Sequence, residues 1–165
     1  MLPNGRVERT REEKVGRLVA SITGVYLVLL FIIPILLVSN TVPELSGRAN
    51  RIDYATLDGW GSWGNQNNGL NGDIGHNQEE FGYFSWTALN PVAAFVYSFG
   101  DLNCHQKSER SWEVNGNQLA VCVRDVGLFL GLFIGALFWR SKGLNTWTVR
   151  DSFLSVFKDE QISSL

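Results

Sequence analysis

The apolar residues of this chain are concentrated in two blocks and do not recur at the period of an amphipathic helix or a strand. The first block, residues 18–38, runs for 21 positions without a charge. At a rise of about 1.5 Å per residue, such a helix can cross a hydrocarbon core of about 30 Å. The second block, residues 121–139, carries charges only near its start and ends at Trp139, a residue type common at membrane boundaries. The pattern predicts two transmembrane helices.

Each block has an alternative interpretation. For the first block it is a cleaved signal peptide, although the block exceeds the usual apolar region of about 7–15 residues and no small-x-small cleavage site follows it. For the second block it is a buried helix of a soluble protein, which the presence of the first block disfavours. Pro34 lies inside the first block, where we expect it to kink or loosen the helix.

The distribution of basic residues predicts the orientation. Five lysines and arginines precede the first block and four follow the second, whereas the region between them holds four against nine acidic residues. Positively charged flanks favour the cytoplasm. We therefore divide the chain into a cytoplasmic segment (1–17), a first transmembrane helix (18–39), an extracytoplasmic loop region (40–120), a second transmembrane helix (121–140) and a cytoplasmic amphipathic segment (141–165).

The loop region contains two different kinds of sequence. Residues 56–78 are rich in Gly and Asn, which indicates irregular turns; their oxygen donors lack the alternating spacing of a calcium loop. The apolar core of residues 84–100 is too short to span, so we expect a short helix that lies in the outer interface or is re-entrant. The amphipathic residues 141–165 are expected on the inner leaflet or on a partner. The predicted fold class is an all-α membrane protein.

Two cysteines mark the candidate site. Cys104 is followed by His105, and Asp125 comes three positions after Cys122, so that on a helix the last two share a face. One interpretation is a Cys104–Cys122 disulfide that staples the loop region, as is usual for exported cysteine pairs. The other is a site in which all four residues bind zinc or another transition metal. We favour the disulfide, because the cysteines lack a CxxC spacing.

Arg124 and Asp125 are ionisable residues at the edge of an apolar block and are functional candidates for that reason. As neighbours on a helix they diverge by about 100°, so we do not expect them to pair with each other. In one interpretation both reach headgroups or water. In the other, Asp125 faces the cysteines and Arg124 binds an acidic loop residue such as Glu109 or Glu113.

Gly127, Gly131 and Gly135 recur at every fourth position of the second block. Small residues at this spacing let another helix approach closely. We expect this face to pack against the first span, a second copy of the chain or a larger membrane partner.

Several short motifs resemble a known family. They are Cys-His-Gln at 104–106, Glu-Arg-Ser at 109–111, Asn-Gly-Asn-Gln at 115–118 and Cys-Val-Arg-Asp-Val-Gly-Leu at 122–128. Together with the glycine repeat, over about residues 90–135, they are similar to the DUF2085 family of predicted prokaryotic membrane proteins. Many members carry cysteine where this chain has Asp125, which removes one possible thiolate here. The resemblance implies a membrane location and a site at these residues, and it adds no reaction.

The sequence thus indicates a small integral membrane protein in the cell membrane with both termini in the cytoplasm. Its expected role is that of a structural or accessory subunit in a homo-oligomer or larger membrane complex, with a metal-binding or redox-active protein as the alternative. No nucleophile and base constellation, phosphate-binding loop or cofactor fingerprint is present, so an enzyme is disfavoured. We expect no nucleic-acid partner.

Overall fold

The computed structural model describes residues 10–47, 52–57 and 81–141. This part of the chain forms α1 (Thr10–Leu36), α2 (Pro91–Asn103), β1 (Glu113–Val114), β2 (Asn117–Gln118) and α3 (Val123–Ser141). Its contacts divide it into a terminal unit, residues 1–24 and 130–165, and a central unit, residues 25–129. The predictions for residues 58–78 and for the segment after residue 141 lie outside the described residues.

The first apolar block forms most of α1, as predicted. The helix begins at Thr10, earlier than the predicted boundary, because the charged residues before the block have good helical propensity. Within the described ranges, Glu13–Leu36 is the one helical segment long and apolar enough to cross a membrane. Many of its large apolar side chains are exposed, among them Leu18, Ile22, Val25, Val28 and Ile32.

The second block is helical, but α3 does not meet the same criterion. It begins at Val123, two residues later than predicted, and its 19 residues include Arg124, Asp125 and Arg140. A second span is therefore not established by the helix itself.

In the terminal unit, small residues of α1 bring it close to α3. A Cβ atom added to Gly24 would lie 2.8 Å from the Phe133 ring, and one added to Gly16 would lie 3.3 Å from the backbone oxygen of Ala136. Ala20, midway between these glycines, is buried. The close approach thus uses a small-residue repeat on α1 that the sequence pattern did not predict.

The glycine repeat of α3 does not take part in this packing. A Cβ atom at Gly127, Gly131 or Gly135 would meet no atom within 4 Å among the described residues. In the part of the chain that the structure describes, the first span, one of the three predicted partners, does not approach this face. A second copy or a larger partner stays a prediction.

The short helix predicted before Cys104 is confirmed as α2, although it begins at Pro91 and not at residue 84. Asn90 caps it by accepting a hydrogen bond from the Ala93 N–H at 3.0 Å, and Pro91 suits the first helical position. Its buried face includes Val96 and Tyr97, whose ring contacts Phe84 edge to face with centroids 5.5 Å apart. This face holds the core of the central unit.

A short hairpin closes the end of α1. Asn115 and Gly116 have φ values of 55° and 68°, as a type I′ turn requires. The Asn117 side chain accepts from the Val42 N–H at 2.8 Å and donates to the Pro34 carbonyl at 3.0 Å. Asn115 donates to the Leu37 carbonyl at 3.0 Å. The hairpin thus supplies donors to terminal carbonyls of a helix that would otherwise lack partners.

Asp101 anchors an irregular segment to α2. Its carboxylate accepts the backbone N–H groups of Asp53 and Tyr54 at 3.0 and 2.9 Å and the indole N–H of Trp86 at 3.0 Å. Burial raises the pKa of Asp101, and these hydrogen bonds act in the opposite direction. The residue serves the fold, since its oxygens face backbone donors.

Gly100 offers a test of how the central unit packs. A Cβ atom there would lie 2.0 Å from the Ala120 carbonyl oxygen, so the two backbones must separate in Gly100→Ala. We expect Gly100→Ala to lower the free energy of unfolding by about 1–3 kcal/mol or more, measured by denaturant unfolding in detergent. Gly131→Ala is the matched control and should cost nothing, because its Cβ meets open space. Equal stability of the two variants would contradict the described packing.

Candidate thiol and carboxylate site

Three of the four predicted ligand residues meet in the central unit. Cys104 follows the last residue of α2, Cys122 precedes α3, and Asp125 lies in the first turn of α3. Their donor atoms, two sulfurs and one carboxylate oxygen, all lie within 4.8 Å of one another. Both cysteines are buried, free thiols. A disulfide needs sulfurs about 2.05 Å apart, so the predicted bond is not formed in this structure and stays a prediction.

His105 is not part of this group. Its side chain is exposed, and its backbone oxygen accepts a hydrogen bond from the Gly47 N–H at 2.7 Å. Cys104 has an extended backbone, with φ −123° and ψ 155°, so the next side chain, His105, points to the opposite side of the chain from the Cys104 sulfur. The predicted four-residue ligand set is therefore reduced to three in this arrangement.

Backbone amides surround the Cys104 sulfur. It accepts the N–H of Gln106 at 3.4 Å and the N–H of Cys122 at 3.2 Å. Donors of this kind stabilise a thiolate over a thiol, as a bound cation would also do.

The two thiols differ in acidity because they interact with each other. A hydrogen bond with Cys122 raises the pKa of Cys104, and burial and a hydrogen bond with the Asp125 carboxylate add to that shift. The hydrogen bond with Cys104 lowers the pKa of Cys122 to about 6, and the Ser111 hydroxyl, 3.7 Å from the Cys122 sulfur, adds to that effect. The metal-free pair thus favours one thiolate and one thiol.

Asp125 has one oxygen bound and one without a partner. Its Oδ1 lies 3.7 Å from Nε of Arg124, and its Oδ2 is buried without a hydrogen-bond partner. The expectation that Arg124 and Asp125 do not pair with each other is wrong, because the arginine side chain, 69% exposed, bends back over the first helical turn. The predicted partners of Arg124 are not used: Glu109 lies 3.8 Å from Lys107, and Glu113 is exposed.

Two polar residues of the site were not predicted. Ser111, from the Glu-Arg-Ser motif, contacts the Cys122 sulfur. Gln106, from the Cys-His-Gln motif, is buried, and its side chain donates to the Ala120 carbonyl at 2.9 Å. Both residues belong to the motifs that resemble the family. These motifs could therefore have identified them as site residues, whereas hydrophobic periodicity could not.

A cleft of about 570 Å³ lies beside the thiols and shares Ser111 with them. Its acidic lining residues, Glu44, Glu109 and Glu113, are exposed to solvent. Water screens exposed carboxylates. The buried thiol and carboxylate group is therefore the better candidate site.

Thiolates and imidazole or carboxylate groups in a compact cluster bind zinc and similar metals. Two sulfurs and one oxygen satisfy the donor chemistry for such an ion and leave room for a further ligand.

Comparison with protein families confirms the resemblance drawn from the motifs. The model of the family described as "Predicted membrane protein (DUF2085)" matches residues 104–157, about a third of the chain. The match begins at Cys104 and extends beyond α3, later at both ends than the motifs indicated. No curated protein and no solved structure matches the chain. The family description and the apolar α1 both support a membrane location.

Proposed function

We propose that this chain is a two-pass membrane protein that binds a transition-metal ion such as Zn²⁺ through Cys104, Cys122 and Asp125. In this proposal the loop region, residues 40–120, faces the extracytoplasmic side and both termini are cytoplasmic. Metal binding is chosen over the disulfide for one reason: a carboxylate oxygen of Asp125 lies within 4.8 Å of both sulfurs, and its buried Oδ2 receives no hydrogen bond of ordinary geometry, although the Cys104 thiol interacts with this carboxylate. A bound cation satisfies that oxygen, whereas a disulfide leaves it unsatisfied.

The unpartnered oxygen carries an energetic cost that a metal ion would remove. A buried polar atom without a partner costs about 1–3 kcal/mol, and more for a charged group. Asp125 retains only 15% side-chain exposure, so water replaces the missing partner poorly. The amides that face the Cys104 sulfur also favour metal binding, because they prepare that sulfur for a thiolate.

The surface of α3 supports a second span. Large apolar side chains are exposed along its length: Leu128, Leu130, Leu132, Ile134, Leu137 and Phe138. A water-soluble protein rarely exposes so continuous an apolar surface. The whole helix is about 28 Å long at a rise of 1.5 Å per residue, close to the thickness of a hydrocarbon core, when its first turn with Arg124 and Asp125 lies at the outer boundary. The excess of basic residues before the first block and after the second supports cytoplasmic termini.

The metal proposal predicts a specific pattern of binding losses. Reduced, detergent-solubilised protein should bind one Zn²⁺ per chain in competition with a chromophoric chelator. Cys104→Ser, Cys122→Ser and Asp125→Asn should each lower the Zn²⁺ affinity by at least about 100-fold, more than the 10–100-fold typical of groups behind the ligands. The cause is the loss of one of three donors.

His105→Ala is the matched control and should bind like the wild type, since that side chain is exposed and outside the group. A thiol assay on denatured, unreduced protein provides the opposing result. One result would establish the Cys104–Cys122 disulfide and refute the metal site. In that case, protein isolated under nonreducing, thiol-blocking conditions has no free thiols, and the reduced protein binds no Zn²⁺.

The orientation has its own test. A membrane-impermeant thiol reagent added to sealed cells should label Ser62→Cys and should not label Ser141→Cys, because only the loop region faces outward. The unsubstituted chain is the background control, since both native cysteines are buried. Labelling of Ser141→Cys before lysis would exclude this topology.

A role as an accessory subunit is the second candidate. The observation in its favour is the open face at Gly127, Gly131 and Gly135, where an added Cβ atom would meet nothing within 4 Å in the part of the chain that the structure describes. In a membrane such a face permits close packing of a partner helix. The partner would be a second copy or another membrane protein.

This second role is tested by Gly131→Leu. The larger side chain holds a partner helix away, so we expect loss of oligomers or of co-purifying chains in mild detergent. Gly131→Ala should retain them, because a methyl group still permits close approach. Unchanged assembly of Gly131→Leu in both detergent and lipid would exclude the face as an interface.

A further inference from the structure

Three buried side-chain atoms lack a hydrogen-bond partner in the described part of the chain: the Tyr26 hydroxyl, Gln106 Oε1 and Asp125 Oδ2. All three lie in one buried region: Tyr26 shares a core cluster with the two cysteines, Gln106 donates its N–H to the Cys104 sulfur, and Asp125 has a carboxylate oxygen within 4.8 Å of both sulfurs. Buried polar atoms without partners are rare in folded proteins, and each calls for an explanation. Their common location indicates one missing polar group and not three separate defects.

Gln106 is joined to the site by its backbone. Its N–H donates to the Cys104 sulfur at 3.4 Å, while its side-chain Nε2 donates to the Ala120 carbonyl at 2.9 Å. These two bonds fix the carboxamide between Cys104 and the residues that lead into Cys122. The remaining atom, Oε1, can only accept a hydrogen bond.

Tyr26 reaches the site from α1. Its ring is held edge to face between Phe99 and Phe129, with centroid distances of 4.9 and 5.0 Å. Tyr26 belongs to the same buried core cluster as Cys104 and Cys122. Phe129 follows Asp125 by one helical turn, so the aromatic contacts hold the unpartnered Tyr26 hydroxyl in the buried region that contains the two sulfurs.

We infer that Tyr26 and Gln106 hold a water molecule that completes the coordination of the metal ion bound by Cys104, Cys122 and Asp125. The inference rests on the proposed function and deepens it. Zinc prefers four ligands in tetrahedral geometry, and three protein donors leave one position for water. A metal-bound water has two protons to donate, and Gln106 Oε1 and the Tyr26 oxygen are two acceptors without partners.

The arrangement makes Tyr26 and Gln106 positioning residues behind the ligands. It also extends the site to α1, so that the ion joins α1 to residues 104–125 within the central unit. A site with three protein ligands and a water is of the kind that accepts an exchangeable ligand.

Tyr26→Phe is the decisive variant, because it removes the hydroxyl and keeps the ring contacts. We expect the Zn²⁺ affinity of the reduced full-length protein to fall about 10–100-fold, as when groups behind metal ligands are removed. The metal-free variant should melt at the same temperature as the wild type or higher, since the lost hydroxyl had no partner. A purely structural tyrosine would not give these two results together.

Tyr97→Phe is the matched control. Its hydroxyl is also buried but donates to the Gln118 carbonyl at 2.8 Å. The variant should melt at a lower temperature and retain its Zn²⁺ affinity. Gln106→Leu should lose affinity like Tyr26→Phe, and it should also melt lower because its bond to Ala120 is lost.

The outcomes separate this inference from the proposed function. Both the proposed function and this inference are overturned if the wild-type protein binds no Zn²⁺, or if the Asp125→Asn variant binds Zn²⁺ as tightly as the wild type. Wild-type binding that depends on Asp125 but is unchanged in Tyr26→Phe or in folded Gln106→Leu overturns the inference alone. A fall in the melting temperature of metal-free Tyr26→Phe, similar to that of Tyr97→Phe, would also overturn it, because the hydroxyl would then have a protein partner.

Discussion

The central unit depends on one constraint: irregular backbone that is buried must find hydrogen-bond partners without the help of long helices or wide sheets. Side chains meet this demand. Asp101 receives backbone donors of residues 53 and 54, Asn117 binds both the end of α1 and the Val42 N–H, and Gln118 accepts from the Leu45 N–H at 2.8 Å. Each such bond contributes only about 1 kcal/mol net, but leaving its partner unpaired costs more.

The same constraint positions the thiols. Gln118 donates to the Gln106 carbonyl at 2.7 Å, and Gln106 in turn binds Ala120, so the chain on both sides of the hairpin is tied together just before Cys122. Cys104 is thereby fixed opposite Cys122. Within this network most buried groups are satisfied, which makes the unpartnered Oδ2 of Asp125 informative, since a carboxylate oxygen of this residue lies within 4.8 Å of both sulfurs.

The sequence predicts the features that depend on hydrophobic length and residue type. These are the first span, the helix before Cys104, and the meeting of Cys104, Cys122 and Asp125. It does not predict features that depend on conformation. The extended backbone at Cys104 directs the His105 side chain away from the other ligands, and one arginine rotamer pairs Arg124 with Asp125. The Asn-Gly pair at 115–116 signals a tight hairpin turn, but its contacts with the end of α1 join residues about 80 positions apart, which no local pattern reveals. The repeat of α3 is easy to recognise because all three of its residues are glycines. The face of α1 that packs has the same spacing, but its middle residue, Ala20, is an alanine between Gly16 and Gly24.

The bond from Asn117 to the Pro34 carbonyl spans 83 residues of sequence. During synthesis at about 5–20 residues per second, α1 would precede its closing partner by roughly 4–17 s. For that interval, the last carbonyls of the helix must be solvated by water, headgroups or the insertion machinery. The cap can form only after nearly the whole loop region has been synthesised. The hydrogen bonding at the C-terminal end of α1 is therefore completed late, long after the apolar residues of the helix are ready to enter the bilayer.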